Sequence, residues 1–171
     1  NFKIRTGIDN YNEDREFRRA VSTNANPFGS YREDNIRFTE MNTDFLVTYN
    51  DKINDSWKYT ITAGANRFDQ KIHYAYAEAS QLALPSIYTL ANSRAPLLGN
   101  SENFEKRINS AYGTANASYE NQLYLDFTYR NDWSSTLPEA NNSFGYYSAG
   151  FSYIASNSFK LPDAISFLKL R

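Results

Sequence analysis

The segment from Leu123 to Asn131 alternates between two kinds of side chain, and this pattern constrains the fold more than any other feature of the sequence. The odd positions carry Leu123, Leu125, Phe127 and Tyr129, and the even positions carry Tyr124, Asp126, Thr128 and Arg130. Successive side chains of a strand point to opposite faces, so a strand here has one apolar and one polar, partly ionic face. Several strands of about ten residues with this pattern, joined by alternately short and long connections, are typical of a transmembrane β-barrel wall.

The composition excludes several other classes of protein. The 171 residues carry a net charge of −1, with 18 basic and 19 acidic residues scattered along the chain, which argues against binding to nucleic acid. The mean hydropathy of −0.67 is compatible with a barrel wall, because only every second strand residue meets lipid. No apolar run reaches the length of a transmembrane helix, about 18 residues. The chain has no cysteine, which excludes disulfides and thiolate chemistry.

Alternation predicts seven strands, and all five prolines lie outside the alternating segments. The predicted strands are residues 1–9, 36–49, 56–68, 106–119, 123–131, 144–155 and 164–171. The fourth is the weakest, because the apolar face predicted for it carries small residues from Ala111 to Ala117. We therefore predict an all-β, antiparallel transmembrane β-barrel, with residues 1–171 forming part of one barrel domain. The plug domain and the remaining strands are expected to lie outside this chain.

The predicted connections alternate in length, which predicts the two ends of the barrel wall. Long connections at 10–35, 69–105 and 132–143 are expected on the extracellular side, and shorter ones at 50–55, 120–122 and 156–163 on the periplasmic side. Four aromatic residues, Tyr49, Trp57, Tyr119 and Tyr153, fall at the short-turn ends of their strands on the apolar face. We interpret them as a periplasmic aromatic girdle. The alternative is that aromatic residues simply favour strands.

Several motifs carry a resemblance to a known family. The run Arg130, Asn131, Asp132, Trp133, Ser134, Ser135, Thr136, Leu137 and Pro138 is the most specific. Further similar segments are 40–46, 87–93, 107–113, 124–126, 141–143 and 165–171. Together they resemble the SusC/RagA family of TonB-linked (TonB-dependent) outer-membrane transporters.

The resemblance implies a barrel of about 22 strands with an N-terminal plug, in the outer membrane of a Gram-negative bacterium. It implies import of oligosaccharides or peptides as large nutrients. The implied partners are a SusD-like surface lipoprotein that acts as a lid, the TonB complex that pulls on the plug, and outer-membrane lipid. Nucleic acid is not an expected partner.

No residue pattern predicts catalysis, a cofactor or a metal site. His73 is the one histidine, and no Gly-x-Ser-x-Gly elbow accompanies it, so we interpret it as an ordinary residue on a strand extension or loop. Asp9, Asn12, Glu13 and Asp14 lack the spacing of an EF-hand and are interpreted as a solvated loop. Calcium binding by an external loop is left open.

Two candidate roles remain for the residues of the Arg130–Pro138 signature. Trp133 either stacks on a ligand or packs at the root of its loop and orders it, and we favour the loop-ordering role. Asp126 and Arg130 share a strand face and are expected to join cross-strand ion pairs in the barrel interior, and a substrate role for either is the less favoured alternative. The alternatives to an importer are a soluble β-sandwich that binds carbohydrate and an outer-membrane barrel that acts as an adhesin or enzyme.

Overall fold

A computed structural model describes residues 1–24, 26–159, 162 and 166–171. The strands are β1 (Phe2–Arg19), β2 (Ser30–Lys52), β3 (Trp57–Ala79), β4 (Leu98–Tyr119), β5 (Leu123–Ser134), β6 (Ser143–Ile154) and β7 (Lys169–Leu170). Short 3-10 helices span Leu90–Asn92, Glu139–Asn141 and Ala155–Asn157. The strands form one antiparallel sheet in the order β1-β2-β3-β4-β5-β6-β7. The all-β, antiparallel, seven-stranded prediction is confirmed, and the sheet is open.

The first four strands are much longer than the sequence pattern predicts. The connections from β1 to β2 and from β3 to β4 span only 20–29 and 80–97, so the predicted loops at 10–35 and 69–105 are wrong over most of their length. The extensions lack apolar alternation, and polar side chains meet across them instead. The Thr39 hydroxyl donates to the Asn10 side chain (2.6 Å), and the Asn35 amide donates to Asp14 (2.6 Å). Strand pairing uses backbone groups and therefore continues where the apolar pattern has ended.

The last predicted strand is shorter in the structure. β7 contains two residues, which pair with β6 as Tyr153–Leu170 and Ile154–Lys169. Residues 160, 161 and 163–165 of the predicted turn and strand lie outside the described residues.

The chain divides into two compact units. Unit 1 comprises Asn1–Gly7, Asn42–Phe68 and Arg107–Arg171, and unit 2 comprises Ile8–Met41 and Asp69–Lys106.

In unit 1, the short connections lie together at one end of the strands. The Ser56 hydroxyl donates to Glu120 (3.2 Å), and the Asn157 amide donates to the Asn121 carbonyl (3.3 Å). Glu120 and Asn121 both have positive φ (47° and 54°), as in the type I′ turns that suit the twist of antiparallel strands. The antiparallel β5–β6 pair places its connection, residues 135–142, at the opposite end. The predicted separation of short and long connections is therefore confirmed for the described residues of unit 1.

In unit 2, the connection between β3 and β4 packs into a small apolar cluster with residues of β2 and β3. Tyr31, Ala79 and Leu82 are buried, and Tyr88 and Leu90 pack against them. Gly29 has φ of +70°, and a Cβ there would lie 2.6 Å from the Arg19 carbonyl oxygen, so the connection between β1 and β2 requires glycine.

Burial separates this fold from a β-sandwich. Among the described residues no large side chain is fully buried, and many large apolar side chains are exposed. A sandwich would bury the apolar faces of two sheets against each other. The described residues form one sheet, and the sandwich alternative is not supported.

Candidate functional site: the two faces of the sheet

The register of β4, β5 and β6 sorts their side chains into two faces, as the alternation in β5 predicts. One set of rows is Tyr119–Leu123–Tyr153, Ala117–Leu125–Phe151, Ala115–Phe127–Ala149 and Gly113–Tyr129–Tyr147. The alternate rows are Ser118–Tyr124–Ser152, Asn116–Asp126–Gly150, Thr114–Thr128–Ser148 and Tyr112–Arg130–Tyr146. We call the first set the apolar face and the second the polar face. Residues directly opposite in an antiparallel pair share a face, so the assignment follows from the pairing alone.

The apolar face continues in β1, β2 and β3 within unit 1. On this face, the ring centroids of Phe2 and Phe45 are 6.2 Å apart. On the other face, the hydroxyls of Thr48 and Thr62 lie 3.2 Å apart, and the Asn66 amide donates to Asp44 (2.7 Å). Apolar and hydrogen-bonding side chains are therefore separated in these strands as well.

The four aromatic residues predicted as a girdle lie near the short-turn ends of their strands. Trp57 begins β3 and Tyr119 ends β4, and their ring centroids are 5.0 Å apart. Tyr119 and Tyr153 belong to the same row, with Leu123 between them. Tyr49 lies three residues before the end of β2 and is 56% exposed.

On the polar face, Arg130 is the centre of a hydrogen-bonded cluster. Its Nε donates to Asp132 Oδ1 (2.8 Å), and one terminal nitrogen donates to the Ser110 hydroxyl (2.9 Å). The Tyr146 hydroxyl donates to Asp132 Oδ2 (2.6 Å), and the Arg130 guanidinium lies over the Tyr112 ring, 5.5 Å from its centroid. The cluster joins β4, β5 and β6 through side chains alone.

This geometry corrects the pairing expected for Asp126 and Arg130. The ion pair of Arg130 runs along its own strand to Asp132, because residues two apart in a strand share a face. Asp126 accepts a hydrogen bond from the Asn116 amide across the sheet (2.5 Å). Among the described residues, the cross-strand hydrogen-bond partners of Arg130 and Asp126 are neutral side chains, so the cross-strand ion pairs expected for them are not found.

The other signature residues mainly order the connection that follows β5. Asn131 donates to the Ser143 hydroxyl (2.9 Å) on the neighbouring strand. The Ser134 hydroxyl is hydrogen-bonded to the Thr136 hydroxyl, and the Ser135 hydroxyl accepts a hydrogen bond from the backbone N–H of Arg107. The Pro138 carbonyl accepts a hydrogen bond from the backbone N–H of Asn141 (2.8 Å). Such bonds fix where β5 ends.

Trp133 belongs to the apolar face. It pairs with Asn109 and Ser143 and is 40% exposed. It shares a shallow groove of about 570 Å³ with Ala63, Ala111 and other residues of unit 1. Trp133 lies two rows beyond Tyr129, at the end of β5 that leads into the long connection. Its indole is therefore on the apolar face and not on the polar one.

Unit 2 contains a second charged cluster that the sequence prediction missed. Arg32 Nε donates to Asp34 Oδ1 (2.5 Å), and the Tyr74 hydroxyl donates to Asp34 Oδ2 (3.1 Å). The Arg32 guanidinium also donates to the Tyr74 oxygen and lies 4.1 Å from the Tyr76 ring centroid. The hydrogen bond to Asp34 raises the pKa of Arg32, and burial raises the pKa of Tyr74. The Arg-x-Asp spacing, shared by residues 32–34 and 130–132, is the signal that was available in the sequence.

The remaining candidates lie on strands. His73 is on β3, and its Nδ1 is hydrogen-bonded to the side-chain Oδ1 of Asn103 (2.8 Å). The acidic segment 9–14 belongs to β1, so its interpretation as a loop is wrong; Glu13 pairs with Arg15 at 2.6 Å. Within the described ranges no group of three or more His, Asp or Glu side chains is placed to hold a metal ion. The helices in that same part of the chain are too short to cross a membrane.

An open antiparallel sheet with one apolar and one polar face defines a segment of a β-barrel wall. Among solved structures, the chain is similar to the RagAB peptide transporter, with a TM-score of 0.80 and 21% identity over 91% of this chain. The RagAB peptide importer in its closed-closed state gives a TM-score of 0.80 and 21% identity over 92% of this chain. In its open-open state it gives a TM-score of 0.73 and 23% identity over 92% of this chain. Each match covers 18% of the transporter chain, so this chain spans less than a fifth of their length.

No protein-family model and no curated protein matches the sequence. At these identities the solved structures establish the fold. To that extent they confirm the resemblance to the SusC/RagA family that the sequence motifs predict.

Proposed function

We propose that this chain is part of the barrel wall of a TonB-dependent outer-membrane importer of large nutrients. The observation that carries the proposal is the separation of the two faces in a sheet that matches part of the RagAB peptide transporter. In hydrocarbon every backbone polar group must be bonded internally, and an antiparallel barrel wall satisfies this requirement. In this proposal the chain forms a rigid part of the wall and holds the external loops in position, and it carries out no catalytic chemistry.

In this proposal the apolar face of unit 1 contacts outer-membrane lipid. Its exposed side chains are those that water would disfavour: Phe127 is 50% exposed, Tyr147 78% and Phe151 58%. The aromatic residues at the short-turn ends form the periplasmic girdle, where amphipathic rings favour the interface. Trp133 lies at the other end of β5 and takes the corresponding place near the outer surface, where it orders the loop that follows.

The free edge of β6 supports a larger barrel. On the side away from β5, only Tyr153 and Ile154 of β6 pair with described residues. An unpaired edge does not persist within a bilayer. We propose that further strands complete the wall and that the plug, which the TonB complex contacts, also lies outside residues 1–171.

The likeness to solved structures supports a proposal on the substrate class, and the resemblance of the sequence motifs supports one on the partner. The solved neighbours are described as peptide transporters or importers, and we propose peptides as the first substrates to test and oligosaccharides as the second. We also propose a SusD-like surface lipoprotein as the partner on the extracellular side.

Site-directed labelling tests the membrane orientation, because residues 1–171 contain no cysteine that would compete for the label, and any cysteine elsewhere in the intact protein is first replaced by serine. Single variants Phe127→Cys and Thr128→Cys are made in the intact protein and inserted into lipid vesicles. We expect a lipid-soluble quencher to quench a fluorophore on residue 127 and an aqueous quencher to act on residue 128. Aqueous access at both positions would contradict the membrane wall and return a soluble binding module as the explanation.

Uptake measurements test the transport step separately. Cells that contain the intact protein should accumulate labelled peptides, and this uptake should be lost when either the protein or TonB is removed. Uptake of oligosaccharides but not peptides would keep the importer and change its substrate. Membrane insertion without TonB-dependent uptake of either class would contradict the importer and favour an adhesin.

A further inference from the structure

The same side-chain arrangement occurs independently in the two units. The first consists of Arg32, Asp34, Tyr74 and Tyr76, and the second of Arg130, Asp132, Tyr112 and Tyr146. In each, an arginine Nε donates to Oδ1 of the aspartate two residues later. A tyrosine hydroxyl from a neighbouring strand donates to Oδ2 of that aspartate, and the guanidinium lies over a second tyrosine ring.

We propose that each arrangement is a strand clamp, which fixes the register of adjacent strands through an arginine–aspartate pair. One tyrosine donates a hydrogen bond to the aspartate, and the arginine lies over the ring of a second tyrosine. The first clamp ties β2 to β3, and the second ties β4, β5 and β6. The backbone ladder alone allows a strand to slip by two residues without changing which face its side chains occupy. A side-chain cluster that spans strands opposes this slip, because slipping would separate the aspartate from the tyrosine hydroxyl.

Burial shows why tyrosine is suited to closing the pair. The Asp34 side chain is only 5% exposed, and Asp132 is 23% exposed. A carboxylate removed from water needs donors for both oxygens, and the arginine Nε serves one of them. The tyrosine hydroxyl supplies the second donor without adding charge, and the guanidinium lies over the ring of the second tyrosine.

A surface pair in the same protein shows the contrasting arrangement. Arg15 engages both carboxylate oxygens of Glu13 (2.6 and 2.9 Å), and the two side chains are 49% and 41% exposed. Both hydrogen bonds between these side chains run along one strand, β1. Exposed pairs of this kind contribute little to stability.

Double-mutant cycles in the intact protein, unfolded reversibly in detergent, test the proposal. The first cycle combines Tyr146→Phe with Asp132→Asn, and the second combines Tyr74→Phe with Asp34→Asn. We expect each tyrosine change alone to lower the denaturant midpoint, and to lose at least half of that effect when the aspartate of its own clamp is already asparagine. Tyr146→Phe combined with Asp34→Asn should give additive shifts.

Tyr147→Phe is the matched control, because Tyr147 is the next residue, lies on the apolar face and is 78% exposed. It should leave the midpoint unchanged. Additive effects within a clamp, or tyrosine changes no larger than that of the control, would overturn the proposal. If neither asparagine variant folds, the comparison of Tyr146→Phe and Tyr74→Phe with the control decides alone.

Discussion

Introducing an arginine at adjacent positions of β5 is the sharpest test of which face meets lipid. Phe127 lies on the apolar face between Ala115 and Ala149, and it is 50% exposed. Neither cross-strand neighbour offers a charge or a hydrogen bond to a guanidinium. Thr128 is one residue further along and lies between Thr114 and Ser148 on the polar face.

The expected magnitudes differ because the two faces have different surroundings. Arginine on the lipid face near the midplane costs about 2–4 kcal/mol, so Phe127→Arg should lower the folding equilibrium roughly 30- to 700-fold. Thr128→Arg meets two hydroxyl neighbours and Asp126, two residues earlier on the same face. We expect a change within about 0.5 kcal/mol, as for an ordinary polar-surface substitution.

The assay is reversible denaturant unfolding of the intact protein in lipid vesicles, with both variants compared with the parent. The yield of folded, membrane-inserted protein in cells serves as a second measurement. Equal losses for the two variants, or a larger loss for Thr128→Arg, would mean that the apolar face does not contact lipid. That result would refute the face assignment on which the proposed function depends.

Two further predictions concern packing and pH. Gly64→Ala should destabilise the protein by about 1–3 kcal/mol, because a Cβ there would lie 2.5 Å from Cζ of Tyr112. Gly7→Ala is the control and should not destabilise the protein, because a Cβ there meets no atom within 4 Å. The unfolding midpoints of the two variants are compared with that of the parent. The hydrogen bond to Glu33 raises the pKa of Tyr31, in unit 2, to about 12. Because this folded-state pKa exceeds the unfolded value of about 10, the hydroxyl stabilises the fold fully below about pH 10, and this contribution is lost as the pH rises to about 12. Unfolding midpoints across that range should show a smaller decline for Tyr31→Phe than for the parent, and an identical decline would contradict the assignment.

The sequence by itself determined the strand count, the faces of β5 and, within unit 1, the separation of short from long connections. The alternation from Leu123 to Tyr129 is a local property, and the period of two follows from strand geometry alone. Proline marked the segments between strands because it cannot donate to a ladder. The small residues of β4 gave a weak signal, yet the register pairs Ala115 with Phe127 and Ala117 with Leu125, so small side chains lie beside large ones.

Only the tertiary structure decided how far the first four strands extend and how their charges are paired. Between Asn10 and Arg19, β1 has no apolar alternation, and its continuation depends on pairing with β2, where Thr39 and Asn35 donate hydrogen bonds to it. The partner of Asp34 on β3 is 40 residues away, and no periodicity in β2 predicts it. Alternation shows which face a side chain occupies, whereas pairing depends on the register between strands, and register is fixed by contacts that the sequence of one strand does not contain.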